Sequence, residues 1–339
     1  MWAGRASSVL KILKAGALFL ALLSAGPANA GEIPPHAIVA YLDSWNEPPA
    51  TSAIGSSLAS LPSYITVVDL AFAKPDLLYT GNLDLSLTGL EYRYSGHILR
   101  DAIALLKLRV PATRVLLSVG GAAYTDWQAL NEVAIARLVQ DLHADGVDID
   151  YEPRHPGCAM DADQHIRCAI GPVWRSVVMR LRTVLPRPAL LTASVWSVGA
   201  YGEGVFADSA PTSRYTGMML GSLRSPEASE IDMLSINAYD AGPRFNPMEA
   251  YRAYRAAWSG VLALGLEVRR RGGDGPFYSA AAVELLAGQV ARDGLGAMMV
   301  YPLLAKPEGQ MGDRLPDGFG LARAMCRGMA LGNCDDWPR

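Results

Sequence analysis

An excess of positive charge is the first thing the sequence lacks: 30 basic residues stand against 33 acidic ones over 339 positions. A nucleic-acid or anionic-membrane partner calls for a basic patch, so neither class of partner is expected. Cysteine is scarce, with four in all, which excludes a cystine-stapled miniprotein. Beyond the N-terminus no apolar run reaches the roughly 20 residues a membrane-spanning helix needs. Low-complexity linkers and shifts of composition are also missing, so nothing marks a domain boundary or a separate binding module.

The N-terminus itself is different. Arg5, Lys11 and Lys14 precede an apolar run over residues 15–23, and Ala28-Asn29-Ala30 supplies small residues for cleavage. Residues 1–30 therefore read as a secretory signal peptide. Its removal takes away three basic residues and no acidic one, so 30 minus 3 leaves 27 against 33. The expected mature chain, residues 31–339, is a secreted or periplasmic protein, free of the membrane, mildly acidic and monomeric.

The four cysteines fall in two close pairs, Cys158 with Cys168 and Cys326 with Cys334. Export favours two local disulfides. An alternative stays open for the first pair, because His155-x-x-Cys158 and His165-x-x-Cys168 could hold zinc in an N2S2 site. No metal or other cofactor is otherwise called for.

Strand-like and helix-like stretches then alternate, as in repeated βα units. Strands are expected over residues 38–42, 65–73, 114–121, 145–152, 189–195, 231–240, 258–265 and 295–301. Helices are expected near residues 95–108, 126–143, 173–185, 279–292 and 318–329. The strands are apolar enough to be buried on two faces, as parallel strands are. Eight of them in about 309 residues (339 minus 30) predict an α/β fold: a single-domain (β/α)8 TIM barrel with its site at the strands' C-terminal ends. Trp45, Glu152, Tyr239 and Tyr301 fall at such ends.

The fourth strand carries the chemistry. In Asp145-Gly146-Val147-Asp148-Ile149-Asp150-Tyr151-Glu152, side-chain alternation puts Asp148, Asp150 and Glu152 on one face and Val147, Ile149 and Tyr151 on the other. Asp is depleted in strands, and a row of like charges is costly to bury. An acidic face on a solvated edge strand would be the bland explanation, but it does not account for acids at every second position.

The pattern DxxDxDxE closely resembles the catalytic signature of family 18 glycoside hydrolases, the chitinases and endo-β-N-acetylglucosaminidases. Ser118-Val119-Gly120-Gly121 resembles that family's SVGG motif, and the strand ending in Tyr239-Asp240 resembles its Tyr-Asp pair. The resemblance implies that Glu152 is the general acid/base, Asp150 its partner and Asp148 the residue behind that partner, with Asp145 structural. It also implies that Tyr239 binds the substrate's acetamido carbonyl. Asn237 and Asp240 join the substrate-binding set, with Trp45, Trp196 and Tyr301 as sugar-stacking surfaces.

Two departures from the family stand out. Tyr301 occupies the position where the family usually places a Trp floor, and only about 30 residues separate the seventh and eighth strands. The large insertion that some members carry there has no room, which implies a shallower cleft. The expected partner is an N-acetylglucosamine-containing polysaccharide or glycoconjugate. A chitinase-like hydrolase, an endo-β-N-acetylglucosaminidase and a non-cutting, lectin-like barrel remain the three readings. Presence of both Glu152 and Asp150 favours cutting over mere binding.

Overall fold

A computed structural model describes Met1, residues 32–309 and residues 314–336. The stretch read as a secretory signal thus lies, apart from Met1, outside the described residues. In chain order the strands are β1 (Ile38–Asp43), β2 (Val67–Ala73), β3 (Arg114–Gly120), β4 (Gly146–Asp150), β5 (Cys158–Met160), β6 (Ile166–Cys168), β7 (Leu190–Trp196), β8 (Met233–Asn237), β9 (Val261–Glu267) and β10 (Gly296–Tyr301). Eight of them close into a parallel barrel in the order β1-β2-β3-β4-β7-β8-β9-β10, with β10 back against β1. The register shifts between Leu70 and Ala73 where β2 pairs with β3; Ser118 on β3 pairs with Asp148 on β4, and Asp148 with Thr192 on β7.

The helices are α1 (Gly96–Arg109), α2 (Glu132–Asp141), α3 (Gly171–Val184), α4 (Leu220–Leu223), α5 (Pro247–Ala257), α6 (Ala280–Val290) and α7 (Gly318–Gly328). Several begin on a side-chain cap that satisfies an otherwise orphaned N–H: Ser95, Asn131, Asn246, Ser279 and Asp317 each accept from a first-turn amide. The first crossover, for which the sequence named no helix, holds two 3-10 turns, Ala53–Gly55 and Leu58–Ser60. The β9–β10 crossover holds α6 and its flanking loops, and no inserted domain.

Strand alternation divides the buried side chains into two layers. Outward-facing residues such as Leu42, Leu70, Leu117 and Ile149 pack against Leu99, Ile103, Ile135, Trp174 and Met325 of the helices. At about 1.5–3 kcal/mol for each fully buried large apolar side chain, this outer layer drives folding. The inner layer is smaller and partly apolar: Val39, Tyr41, Val67, Leu116, Met233, Ala263 and Met299. The rest of the interior is polar, with Asp69, Ser118, Asp148, Thr192 and Ser235 wholly buried.

The polar segment after the acid row reads as a loop from sequence, yet it contains the antiparallel β5/β6 hairpin. A disulfide joins Cys158 to Cys168 across that hairpin, and a second joins Cys326 to Cys334. The first bond takes both sulfurs away from the alternative zinc site. Glu203 holds the hairpin down by accepting from the Ile166 amide at 2.5 Å, while Arg224 bonds both Glu203 and the Ile166 carbonyl. Ile166 also packs where Cβ atoms on Gly202 and Gly217 would stand 2.6 and 2.4 Å from its Cδ1.

Candidate active site

Two glycines make room for the row of acids. Gly120, at φ +109°, ends β3, and a Cβ there would lie 2.2 Å from the Asp150 carbonyl oxygen. That same carbonyl accepts the Gly121 amide at 2.9 Å. Only a residue without a side chain lets the two strands approach so closely at this φ. β4 is thereby held with alternate side chains aimed into the barrel mouth.

Asp148 lies deepest, wholly buried. Its Oδ2 accepts from Tyr41 Oη at 2.9 Å and Ser118 Oγ at 2.8 Å, and its Oδ1 from Thr192 Oγ1 at 2.7 Å. Burial raises its pKa, while these three hydroxyls oppose the rise. Asp150 sits above it, 4% exposed, with Oδ1 lacking any partner. Burial, then the charges of Glu152 and Asp148, hold its pKa well above the carboxylate range. Glu152 lies two residues beyond the end of β4 and is half-buried. Burial and the nearby Asp240 push it up to about 7, poised to give and take a proton near neutrality.

A cavity of about 280 Å³ opens over these acids, lined among others by Tyr41, Phe72, Asp150, Glu152, Tyr239, Asp240, Glu267, Arg270 and Tyr301. Tyr239 and Tyr301 stack with centroids 5.8 Å apart and planes 13° from parallel. Tyr301 therefore contributes to the floor, and Phe72 adjoins it at 6.2 Å. A second cavity of about 270 Å³ shares Phe72, Ala122 and Tyr301 with the first and adds Trp45 and Tyr124. On the opposite side a third, of about 370 Å³, shares Asp240 and adds Trp196 and Tyr215. Together they form a groove across the C-terminal end of the barrel, with Glu152 at its middle.

The residues singled out from the sequence are thus distributed along that groove. Asp150, Glu152, Tyr239, Asp240 and Tyr301 meet in the central cavity, and Asp148 supports them from below. Trp45 lies in the second cavity, stacked on Phe72 at 6.0 Å. Trp196 lies in the third, where one face is covered by Tyr215 at 3.9 Å and 6°. Asn237 is buried beneath the groove and accepts from Ser194 Oγ at 2.7 Å.

Several residues of the site were not legible as such. Tyr41, Ser118 and Thr192 bond Asp148, and polar residues at inward positions of apolar strands were the available signal. Asp69 on β2 is wholly buried with both carboxylate oxygens unpartnered. Its pKa is raised by burial, then by Asp148 and Asp150. Glu267 escaped notice because the seventh strand was expected over residues 258–265, whereas β9 runs from Val261 to Glu267; Arg270, within an Arg269-Arg270-Arg271 run that reads from sequence as a solvated loop, instead lines the cavity. Trp258 lies outside β9, donating its indole N–H to the Val261 carbonyl at 3.1 Å. Arg270 Nε bonds Glu267 Oε1 at 2.6 Å, and Nη2 bonds Asp240. Among the described residues no group of acids, histidines and cysteines is arranged to hold a metal ion.

No family model matches the chain. A curated chitinase of Plasmodium falciparum (isolate 3D7) is 38% identical over 128 residues, 34% of this chain and 32% of that protein. The chain thus aligns with about a third of the length of that relative. Among solved structures, a family 18 chitinase from Pseudoalteromonas aurantia superposes with a TM-score of 0.56 at 19% identity, over 86% of this chain and 99% of that one. A fungal endo-β-N-acetylglucosaminidase of glycosyl hydrolase family 18 gives a TM-score of 0.55 at 14% identity, over 87% and 98%. The fold is that of these family 18 barrels, as the three sequence motifs suggested.

Proposed function

We propose that the chain is a glycoside hydrolase that cuts β-1,4-linked N-acetylglucosamine polymers within the chain, with the substrate's own acetamido group as nucleophile. The single observation that carries this reading is the placement of Asp150 and Glu152 beside each other under one aromatic-floored cavity. Retaining enzymes with a protein nucleophile set two carboxyls about 5–5.5 Å apart on opposite sides of the sugar. Asp150 ends β4 and stands beside Glu152, two residues further on, within side-chain hydrogen-bonding reach of it rather than across the sugar, and is poorly placed to attack. The other two carboxylates of the cavity, Asp240 and Glu267, both bond Arg270, which weakens them as nucleophiles.

The remaining route is intramolecular attack by the acetamido oxygen on the anomeric carbon, the substrate-assisted exception among glycosidases. In it Glu152, protonated at its raised pKa, gives its proton to the leaving oxygen and then takes one from water. Asp150 receives the acetamido N–H and stabilises the positive oxazolinium ring. Asp148, fixed by three hydroxyls, balances the proton on Asp150. Tyr239 orients the acetamido carbonyl, and Tyr301, Phe72 and Trp45 carry the sugar faces.

The reading extends to the setting. Residues 1–30 would be removed on export, leaving a catalytic unit over residues 31–339 that acts as a secreted or periplasmic monomer. Two disulfides accord with an oxidising compartment, and among the described residues no helix is long and apolar enough to cross a membrane. A groove without an inserted wall favours cleavage inside a polymer over stepwise removal from an end.

The test is hydrolysis of N-acetylglucosamine oligomers, a high-mannose glycoprotein and a plain glucan by the wild-type chain. Cleavage of the oligomers with retained anomeric configuration is expected, with the glucan untouched. Comparable rates on the glucan would remove acetamido assistance, and exclusive cleavage of the glycoprotein would transfer the assignment to endo-β-N-acetylglucosaminidase.

A further inference from the structure

We infer that Glu267, Asp240 and Arg270 form a specificity pocket for a sugar with a free, protonated 2-amino group next to the acetylated sugar under attack, so that partly deacetylated polymer is the preferred substrate. This rests on the hydrolase reading above and adds to it a choice of substrate.

The charge balance of the cavity is the ground for it. Glu267 lines the central cavity with its side chain only 2% exposed. Its Oε1 is taken by Arg270, while Oε2 has no hydrogen-bond partner. The same guanidinium also serves Asp240, which stands at the boundary of the central and third cavities. When both carboxylates are ionised, the single guanidinium leaves one negative charge beside the reacting sugar unbalanced. The strain is visible in Glu267 itself, pushed up to about 7 by burial and by Asp240 despite Arg270.

A neutral sugar could offer the free oxygen a hydroxyl, which supplies a hydrogen bond and leaves the charge uncompensated. An ammonium supplies both, and a charge-assisted bond in a desolvated pocket is the stronger interaction. The amine belongs to the neighbouring sugar, because the sugar being cleaved must keep its acetamido group for the chemistry. Tyr239 and Tyr301 beside Glu267 provide the apolar face on which the pyranose rings lie.

The experiment digests chitosan that is about half deacetylated, alongside fully acetylated hexamer, with wild-type protein and Glu267→Gln, and sequences the product ends. For the wild type, one sugar flanking each cut is expected always acetylated and the other enriched in glucosamine above the polymer average. In Glu267→Gln the ratio of kcat/KM on chitosan to kcat/KM on the hexamer should fall by about fivefold, the size of one partly desolvated charge pairing. Flanking sugars that mirror the bulk composition in the wild type would overturn the inference while leaving the hydrolase reading intact. Absence of cleavage on both substrates would instead sink the hydrolase reading. The end-sequence readout needs no variant, so a misfolded Glu267→Gln cannot mask the answer.

Discussion

The two ends of strand β4 carry the same kind of side chain and treat it in opposite ways. At the N-terminal end Asp145 is partly exposed, accepts the Val115 amide at 2.7 Å and pairs with Lys107 at 2.8 Å. At the C-terminal end Asp148, Asp150 and Glu152 are stacked in the barrel mouth with hydroxyls and each other for company and, among the described residues, no cation in direct contact. Asp145 ties its strand to β3 through the Val115 amide and to α1 through Lys107. The upper acids are kept where ionisation is unfavourable, which costs stability and gives a proton that can move near neutral pH. Position along the barrel axis, rather than residue type, decides between scaffold and chemistry.

The sharpest way to break this contrast is to remove the proton carrier. Glu152→Gln should lower kcat by roughly 100-fold or more while oligosaccharide binding persists, measured by steady-state kinetics and by calorimetric titration. Unchanged turnover would take Glu152 out of the mechanism.

Next in size is the wild-type pH dependence. Glu152 must be protonated to act as an acid, so kcat/KM should fall about tenfold per pH unit above about 7, the value to which burial and Asp240 raise it. An alkaline limb placed two units higher would assign the proton to another group.

Stability should follow the same groups. Asp43 is raised to about 6, and Glu152 and Glu267 to about 7, in each case chiefly by burial. Each binds its proton more tightly when folded, so the folded state holds more protons than the unfolded one between about pH 4 and 7. These three contributions are fully present at low pH and are lost as pH rises through 6 and 7. Melting temperature, measured across that range, should decline on this account and decline less in Glu152→Gln. A curve for that variant parallel to wild type would break the link between site and stability.

The smallest effect belongs to the other end of the strand. Asp145→Ala should cost about 1–2 kcal/mol of stability, through one backbone hydrogen bond and one half-exposed ion pair, with kcat changed less than twofold. A loss of turnover comparable to Glu152→Gln would erase the contrast between the ends.

Much of this was legible because alternation is a strict rule. The period of two put Asp148, Asp150 and Glu152 on one face, and Gly120-Gly121 announced a close approach before the Asp150 carbonyl was seen to fill it. What escaped was whatever depends on a neighbouring strand. Asp69 stands among apolar residues on β2, and nothing local says that the inward side there holds other acids. A two-residue shift of the seventh strand hid Glu267. The β5/β6 hairpin looked like loop because its polar residues face solvent and its disulfide replaces an apolar face. Helix α5 was missed even though Asn246-Pro247, a cap followed by a first-turn proline, marks its start.

The docking of that hairpin bears on any attempt at re-engineering. Ile166 fills space that Gly202 and Gly217 leave, and Glu203 with Arg224 clasps its backbone, so the hairpin and residues 197–224 are packed as one unit. Tyr215, which lids Trp196, belongs to it. Grafting the hairpin alone onto another barrel would leave it without its seat, whereas moving both pieces would carry one bank of the groove along with them.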